Sequence, residues 1–327
     1  MTAGSSHSRS GPHHSHSGSH HSHSGAQENG TEEAALAELL DLDAEVLRSY
    51  WVEALLWVRH AAPGSGRRRI VDLGAGTGTG AIALAQRFSG AEVLAVDTSE
   101  RMLERIRGKA LALGLAPQIR TVTADLDDGW PPLGPLDVTW ASMSLHHLAD
   151  PDRVLADIFA NTRPGGLLAV AEFNEPLRYL PDDLGFGRPG LERRCLDAVA
   201  EEHAHSLPEL GSDWPTRLAN AGFTVLAERT FSIELNPPHS AATITYAERW
   251  LQRLRPRLAD RLTPDDLDAL AVLLDGDGPG SLRRRGDLRV RGDRAVTLAR
   301  RDHSAGDDSV GDHSLKDDSL GDHRPAS

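Results

Sequence analysis

The chain has 327 residues, 39% of them hydrophobic and 25% charged, with a formal net charge of −13. That length suits one large α/β domain or two small ones, and the negative sign argues against a nucleic-acid partner, because gripping phosphates needs a basic surface. Cys195 is the single cysteine, which excludes an internal disulfide and a thiolate zinc cluster.

No run of ~18 apolar residues marks a membrane span, and no apolar leader opens the chain, so a cytoplasmic protein with no membrane partner is expected. Residues 1–30 are Ser/Gly/His-rich and carry His13, His14, His16, His20, His21 and His23. Such a segment buries no core and is expected to be disordered. Its imidazoles lack fixed surroundings, so no functional metal site is assigned to them. A domain is expected over 31–301, divided into a helical cover at 31–66, a ligand-binding core at 67–173 and substrate-side helices with the last two strands at 174–301. Residues 302–327 repeat an Asp-rich five-residue unit and are expected to form a disordered acidic tail.

Within the domain, Leu47, Trp51, Leu55 and Val58 share one face at helical spacing, with Tyr50 and Ala54 beside them. Pro63, Gly64 and Gly66 end that helix. Strand and helix then alternate: strands at Ile70–Leu73, Val93–Asp97, Ile119–Ala124, Leu136–Ala141 and Leu167–Phe173, helices at Thr79–Phe88, Ser99–Leu113 and after Asp150-Pro151. Asp150 and Pro151 supply a cap and a first-turn proline, and Pro164-Gly165-Gly166 is read as the end of the same helix. Five strands separated by helices predict a parallel, doubly wound sheet. Residues 174–220 read as helical and irregular, Phe223–Leu235 as a sixth strand, 237–285 as mostly helical and Arg294–Arg300 as a seventh strand.

The densest chemical signal is Val71-Asp72-Leu73-Gly74-Ala75-Gly76-Thr77-Gly78, a strand running into a glycine-rich turn and then a helix. Glycines let the backbone bend tightly and approach a ligand, and the helix N-terminus behind offers free N–H groups. Asp97 follows Gly78 by 19 residues, at the end of the second strand, where a carboxylate can accept from two ribose hydroxyls. Turn and acid together describe an adenosine site, but nicotinamide enzymes share both, and Gly76-Thr77-Gly78-Thr79-Gly80-Ala81 fits their looser fingerprint.

Residues 70–173 resemble the core of class I S-adenosylmethionine methyltransferases, in particular small-molecule enzymes related to the quinone-biosynthesis type. The matching pieces occur in order: Val71–Gly78, Asp97–Leu103, Thr123-Ala124-Asp125, Leu136-Asp137-Val138, Ser144-Leu145-His146-His147-Leu148 and Arg163–Gly166, followed by Asn220-Ala221-Gly222-Phe223. The resemblance implies a Rossmann-like α/β fold of seven strands, with strand seven antiparallel between five and six. It implies S-adenosyl-L-methionine as the cofactor and a small-molecule methyl acceptor as the partner. Gly74, Ala75, Gly76 and Gly78 would pass under the methionine part, with Asp72 fixing the loop and the amino group. Asp97 would hold the ribose, Thr98 and Met102 would flank the adenine, and Asp125 with the Leu126 N–H would read its edge. Ser142 and Met143 would stand beside the methyl group.

His146 and His147 follow the fourth strand near that methyl, and either could act as a general base, with His146 slightly ahead. Trp51, Trp57, Trp140 and Tyr50 are candidate walls of an apolar substrate pocket, and Glu172, Asn174, Arg178 and Tyr179 face the expected substrate side. A nicotinamide-dependent oxidoreductase is the first rival, disfavoured because Tyr50, Tyr179 and Tyr246 are not followed by Lys at the fourth position. A non-catalytic binding module is the second, against which the intact set of glycines and carboxylates counts. No Pro-Pro-Tyr/Phe amino-methyltransferase motif and no Pro-Cys pair exist, which disfavours nucleic-acid substrates. O-methylation is expected ahead of C- or N-methylation.

Overall fold

The computed structural model describes residues 21–303 apart from 63, 65–67, 174 and 277; the side chains of 21–29 are not described. The expected tails over 1–20 and 304–327, and Asn174, therefore lie outside the described residues. Helix α1 spans His21–Val46, so it starts ahead of the expected boundary at Gly30. Helix α2 (Arg48–Ala61) buries Tyr50, Ala54, Leu55 and Val58, the face read from the spacing.

Strands β1 (Arg69–Leu73), β2 (Glu92–Asp97), β3 (Ile119–Thr123), β4 (Leu136–Ser142) and β5 (Thr162–Glu172) run parallel, joined by helices α3 (Thr79–Arg87), α4 (Glu100–Ala112) and α5 (Pro151–Asn161). Strands β6 (Thr224–Leu235) and β7 (Val290–Arg300) complete one seven-stranded sheet in the order β3-β2-β1-β4-β5-β7-β6. β7 is antiparallel to both β5 and β6, as the resemblance implied. Between β5 and β7 lie helices α6 (Leu191–Ser206), α7 (Trp214–Asn220), α8 (Ala241–Arg257) and α9 (Pro264–Leu274). None of the described helices is long and apolar enough to cross a membrane.

Local chemistry starts these elements where the sequence says it should. Ser99 Oγ accepts from Met102 N at 3.1 Å and caps α4. Asp150 caps α5 by accepting from Arg153 N at 3.0 Å, with Pro151 in the first turn. The central strands β1, β2, β4 and β5 are buried on both faces, as a parallel sheet covered by helices requires.

Two further boundaries differ from the sequence reading. Arg163–Gly166 belongs to β5 rather than to the end of a helix: Thr162 pairs with Leu136 and Leu167 with Val138, and the register shift between them takes up the Pro-Gly-Gly residues. β7 starts at Val290 instead of Arg294, because Val290–Asp293 pair with the far end of β6, Leu235–Ser232.

The chain runs outward from β1 through β2 to β3, then resumes at β4 on the other side of β1. That reversal opens a crevice at the carboxyl ends of β1 and β4, where open α/β sheets bind ligands.

Candidate active site

A cavity of about 900 Å³ fills this crevice and continues under α1, α6 and α8. Its two ends differ in chemistry.

The first end is built by the glycine turn after β1. Gly74 has φ +65°, and a Cβ there would lie 2.4 Å from Ser144 Cβ, so the turn presses directly against the loop after β4. Gly78, at φ +88°, starts α3 and abuts Ile106 in the same way. Asp97 braces the turn from the end of β2. Its Oδ2 accepts from Gly76 N at 2.8 Å and its Oδ1 from Ser99 N at 2.9 Å. Each oxygen keeps a lone pair directed elsewhere.

Asp72 lies beneath the turn, 3% exposed. Burial pushes its carboxyl up to about 7; a bond from the Ala81 N–H opposes the rise and the nearby Asp97 adds to it. Its Oδ2 is buried and unpartnered. Gly80 packs against that oxygen so closely that a Cβ would sit 2.6 Å away. A buried carboxylate oxygen with no donor, at the wall of a cavity, is a site waiting for a cationic or N–H group.

Further along, Met102 is buried, Thr98 is exposed, and Asp125 Oδ1 accepts from Asp127 N at 2.9 Å. Asp72, Gly74, Ala75, Gly76, Asp97, Thr98, Met102, Asp125, Leu126, Ser142 and His147 all line the one cavity. Gly78 and His146 do not; Gly78 shapes the helix start instead.

The two histidines part company. His146 is buried, its Nδ1 donates to Glu172 Oε2 at 2.7 Å, and it does not line the cavity. The sequence places His146 slightly ahead, with no means of telling the two rings apart; the ring that lines the cavity is that of His147. His147 is exposed to the cavity, with its ring centroid 4.2 Å from that of His146. Burial, then the neighbouring His146 and His203, lower its imidazole to about 4. It is therefore neutral at physiological pH and a weak base.

The second end is a chamber beyond Ser142 and Met143. Met143 holds φ +55°, the one positive value on a non-glycine among the described residues, and its N donates to Ala171 O at 2.8 Å. Trp51, Trp140 and Tyr179, all expected, form walls. Trp57, Tyr50, Glu172 and Arg178 do not reach this cavity; Trp57 and Tyr50 pack on Phe231 instead. The chamber also holds residues that no sequence signal marked: Asp43 from α1, Tyr246, Trp250 and Arg253 from α8, and Arg294 from β7. Tyr246 Oη donates to Asp43 Oδ1 at 2.7 Å across 203 residues of chain. Periodicity finds helices, but no periodic pattern announces such a pair.

Comparison with known proteins agrees with the geometry. A family model described as a methyltransferase domain matches residues 70–166. A trans-aconitate 2-methyltransferase of Azoarcus sp. is 36% identical over 114 residues, covering 34% of this chain and 42% of that protein. A demethylmenaquinone methyltransferase of Thermus thermophilus is 37% identical over 109 residues, covering 33% of this chain and 49% of that protein. A trans-aconitate 2-methyltransferase of Deinococcus radiodurans is 37% identical over 102 residues, covering 31% and 36%. The chain thus spans less than half the length of these relatives. Sheet order, glycine turn and strand-end carboxylates coincide with the stretch, residues 70–166, that matches the methyltransferase-domain model.

Proposed function

We propose that this chain transfers the methyl group of S-adenosyl-L-methionine to a small-molecule acceptor. The observation that carries the reading is one continuous cavity, which joins the glycine-turn end to an aromatic chamber at Ser142 and Met143. The residues present fit the cofactor: the unpartnered Asp72 oxygen offers an acceptor for its amino group, and Asp97 keeps lone pairs for two ribose hydroxyls. Asp125 and the Leu126 N–H would read the adenine edge, between Thr98 and Met102. When bound, the cofactor supplies a methyl group made electrophilic by the adjoining sulfonium.

The remaining work belongs to the chain. Holding donor and acceptor in one geometry is worth ~7–11 kcal/mol, more than a general base adds. Residues of helices α1, α6 and α8 line the same cavity, and over a bound substrate they would exclude water. His147, the histidine that faces the cavity, orients the acceptor rather than removing its proton. A small-molecule partner, rather than a nucleic acid, accords with the net charge of −13, and a cytoplasmic location accords with the free, buried Cys195.

Calorimetric titration with S-adenosylhomocysteine, with NAD⁺ and NADP⁺ in parallel, tests the proposal. Saturable binding of the first alone, lost in Asp97→Ala, is expected. Binding of a nicotinamide nucleotide instead overturns it, and binding of none leaves a non-catalytic module.

A further inference from the structure

We propose that the methyl acceptor is a carboxylic acid with an apolar body, held by Arg294 and Arg253, and that the product is its methyl ester. This rests on the methyl-transfer reading and adds the acceptor's chemical class.

The charge pattern points there first. The whole chain is acidic, and carboxylates crowd the donor end of the cavity at Asp72, Asp97 and Asp125. The acceptor chamber reverses the sign: Arg294, Arg253 and Arg257 face it, against Asp43 alone among its acidic residues. A cationic amine would be repelled from this chamber, and an anion would be drawn into it.

Arg294 is 7% exposed and lies at the carboxyl edge of the sheet, beside the Ala295–Glu172 pair that ends β5. Its guanidinium stands 5.7 Å from the Phe173 ring centroid, donates to Asp293 O at 2.9 Å, and sits 3.6 Å from Asp43 Oδ1. That same Asp43 oxygen already accepts from Tyr246 Oη. The Arg294–Asp43 contact is therefore long and shared, and apart from the bond to Asp293 O the five-donor fork has no close acceptor among the described residues. A carboxylate matches such a fork with two parallel bonds. At the mouth, Arg253 is exposed and makes no ion pair among the described residues, whereas Arg257, one turn on, is committed to Glu202 at 3.0 Å. Between the two cations the walls are apolar: Trp51, Trp140, Leu196, Val199 and Trp250.

The chamber also lacks a strong base. His147 is a weak one, with its imidazole lowered to about 4, and burial raises the phenols of Tyr179 and Tyr246 so that they stay neutral. An amine or phenol acceptor would have to lose a proton here, whereas a carboxylate arrives without one. In the transfer step a carboxylate oxygen forms the new O–CH₃ bond as the S–CH₃ bond breaks. The broken bond's electron pair stays on sulfur, the sulfonium becomes a neutral thioether, and no proton moves.

The test uses the full chain saturated with S-adenosylhomocysteine, titrated calorimetrically with phenylbutyrate, decanoate and indolepropionate, each against its primary amide. At least one acid should bind about tenfold or more tightly than its amide, the difference expected of charge-assisted hydrogen bonds. Arg294→Gln should erase that preference and Arg253→Gln should reduce it, with affinity for S-adenosylhomocysteine unchanged in both. Turnover of the preferred acid with methyl-tritiated cofactor should give label that alkali releases as volatile methanol. No acid preferred over its amide in the unmodified chain, a preference that survives both substitutions, or alkali-stable label overturns the proposal. Should Arg294→Gln not fold, the acid–amide comparison and Arg253→Gln decide. Failure to bind S-adenosylhomocysteine at all would instead bring down the methyl-transfer reading, a separate and recognisable outcome.

Discussion

Asp72 supplies a quantitative test of the donor end. Burial lifts its carboxyl from the ordinary 3.8 to about 7, so near pH 7 about half of the unliganded molecules carry a proton there. An ammonium group docking on Oδ2 favours the ionised form and expels that proton. Ligand binding should therefore release about 0.5 proton per site near pH 7, rising to ~0.9 near pH 6 and falling to ~0.1 near pH 8. Titration with S-adenosylhomocysteine in phosphate and in Tris, whose ionisation enthalpies differ, reads the released proton directly. Asp72→Asn should abolish it and weaken binding by ~10–100-fold, the worth of one charge-assisted hydrogen bond. The same burial acts on stability. The folded chain holds the Asp72 proton more tightly than the unfolded one, so raising pH through this interval withdraws up to about 4 kcal/mol of stability through this group. The Asn variant should lose that part of the slope in urea unfolding. Proton uptake on binding, or release that persists in the Asn variant, would refute the reasoning.

Gly74→Ala forces a left-handed φ on an L-residue and drives a methyl into Ser144, and should cost about 2–4 kcal/mol in urea unfolding together with most of the donor affinity. His147→Ala should lower turnover by less than ~10-fold, short of the ~10²–10⁴ that a general base supplies, and the rate of the unmodified chain should show no titration near 6.5; a limb there, removed by the substitution, would restore His147 as a base. Asp266, 1% exposed, accepts from Arg188 at 2.8 Å and Arg194 at 2.6 Å; burial alone would raise its carboxyl, but these bonds and that of Thr263 bring it down to about 2. Asp266→Ala should cost about 3 kcal/mol, a loss that denaturation detects at neutral pH and that shrinks as acid neutralises the native carboxylate.

Much of the donor end was legible because it is local. Strand, glycine turn and helix occupy consecutive residues, and Asp97 and Asp125 close the next two strands at similar spacing. The sheet order followed from the resemblance, and β7 settled antiparallel where expected. The acceptor chamber was not legible, because its chemistry comes from α1, α8 and β7, which meet only after folding. Asp43, Tyr246 and Arg294 each sit in an ordinary amphipathic or alternating stretch. The different settings of His146 and His147 were not legible for a related reason: of two adjacent rings only His147 lines the cavity, and the Glu172 that captures His146 lies 26 residues on. The start of β5 was misjudged because Pro-Gly-Gly reads as a stop, while the register shift against β4 lets the strand run through it.

The position of β7 carries a consequence for how the protein is made. β6 has no direct pairing with β5; β7 separates them, bonded to β6 over Val290–Arg300 and to β5 over Ala295–Arg300. A ribosome delivers β6 about 65 residues before β7 is complete, and during that interval β6 has no place in the sheet and β5 has an open edge. The donor end can take shape as soon as β1 to β5 have emerged. The chamber that carries Arg294 forms only when β7 slides between its two neighbours, so a nascent chain would acquire its cofactor site before its acceptor site.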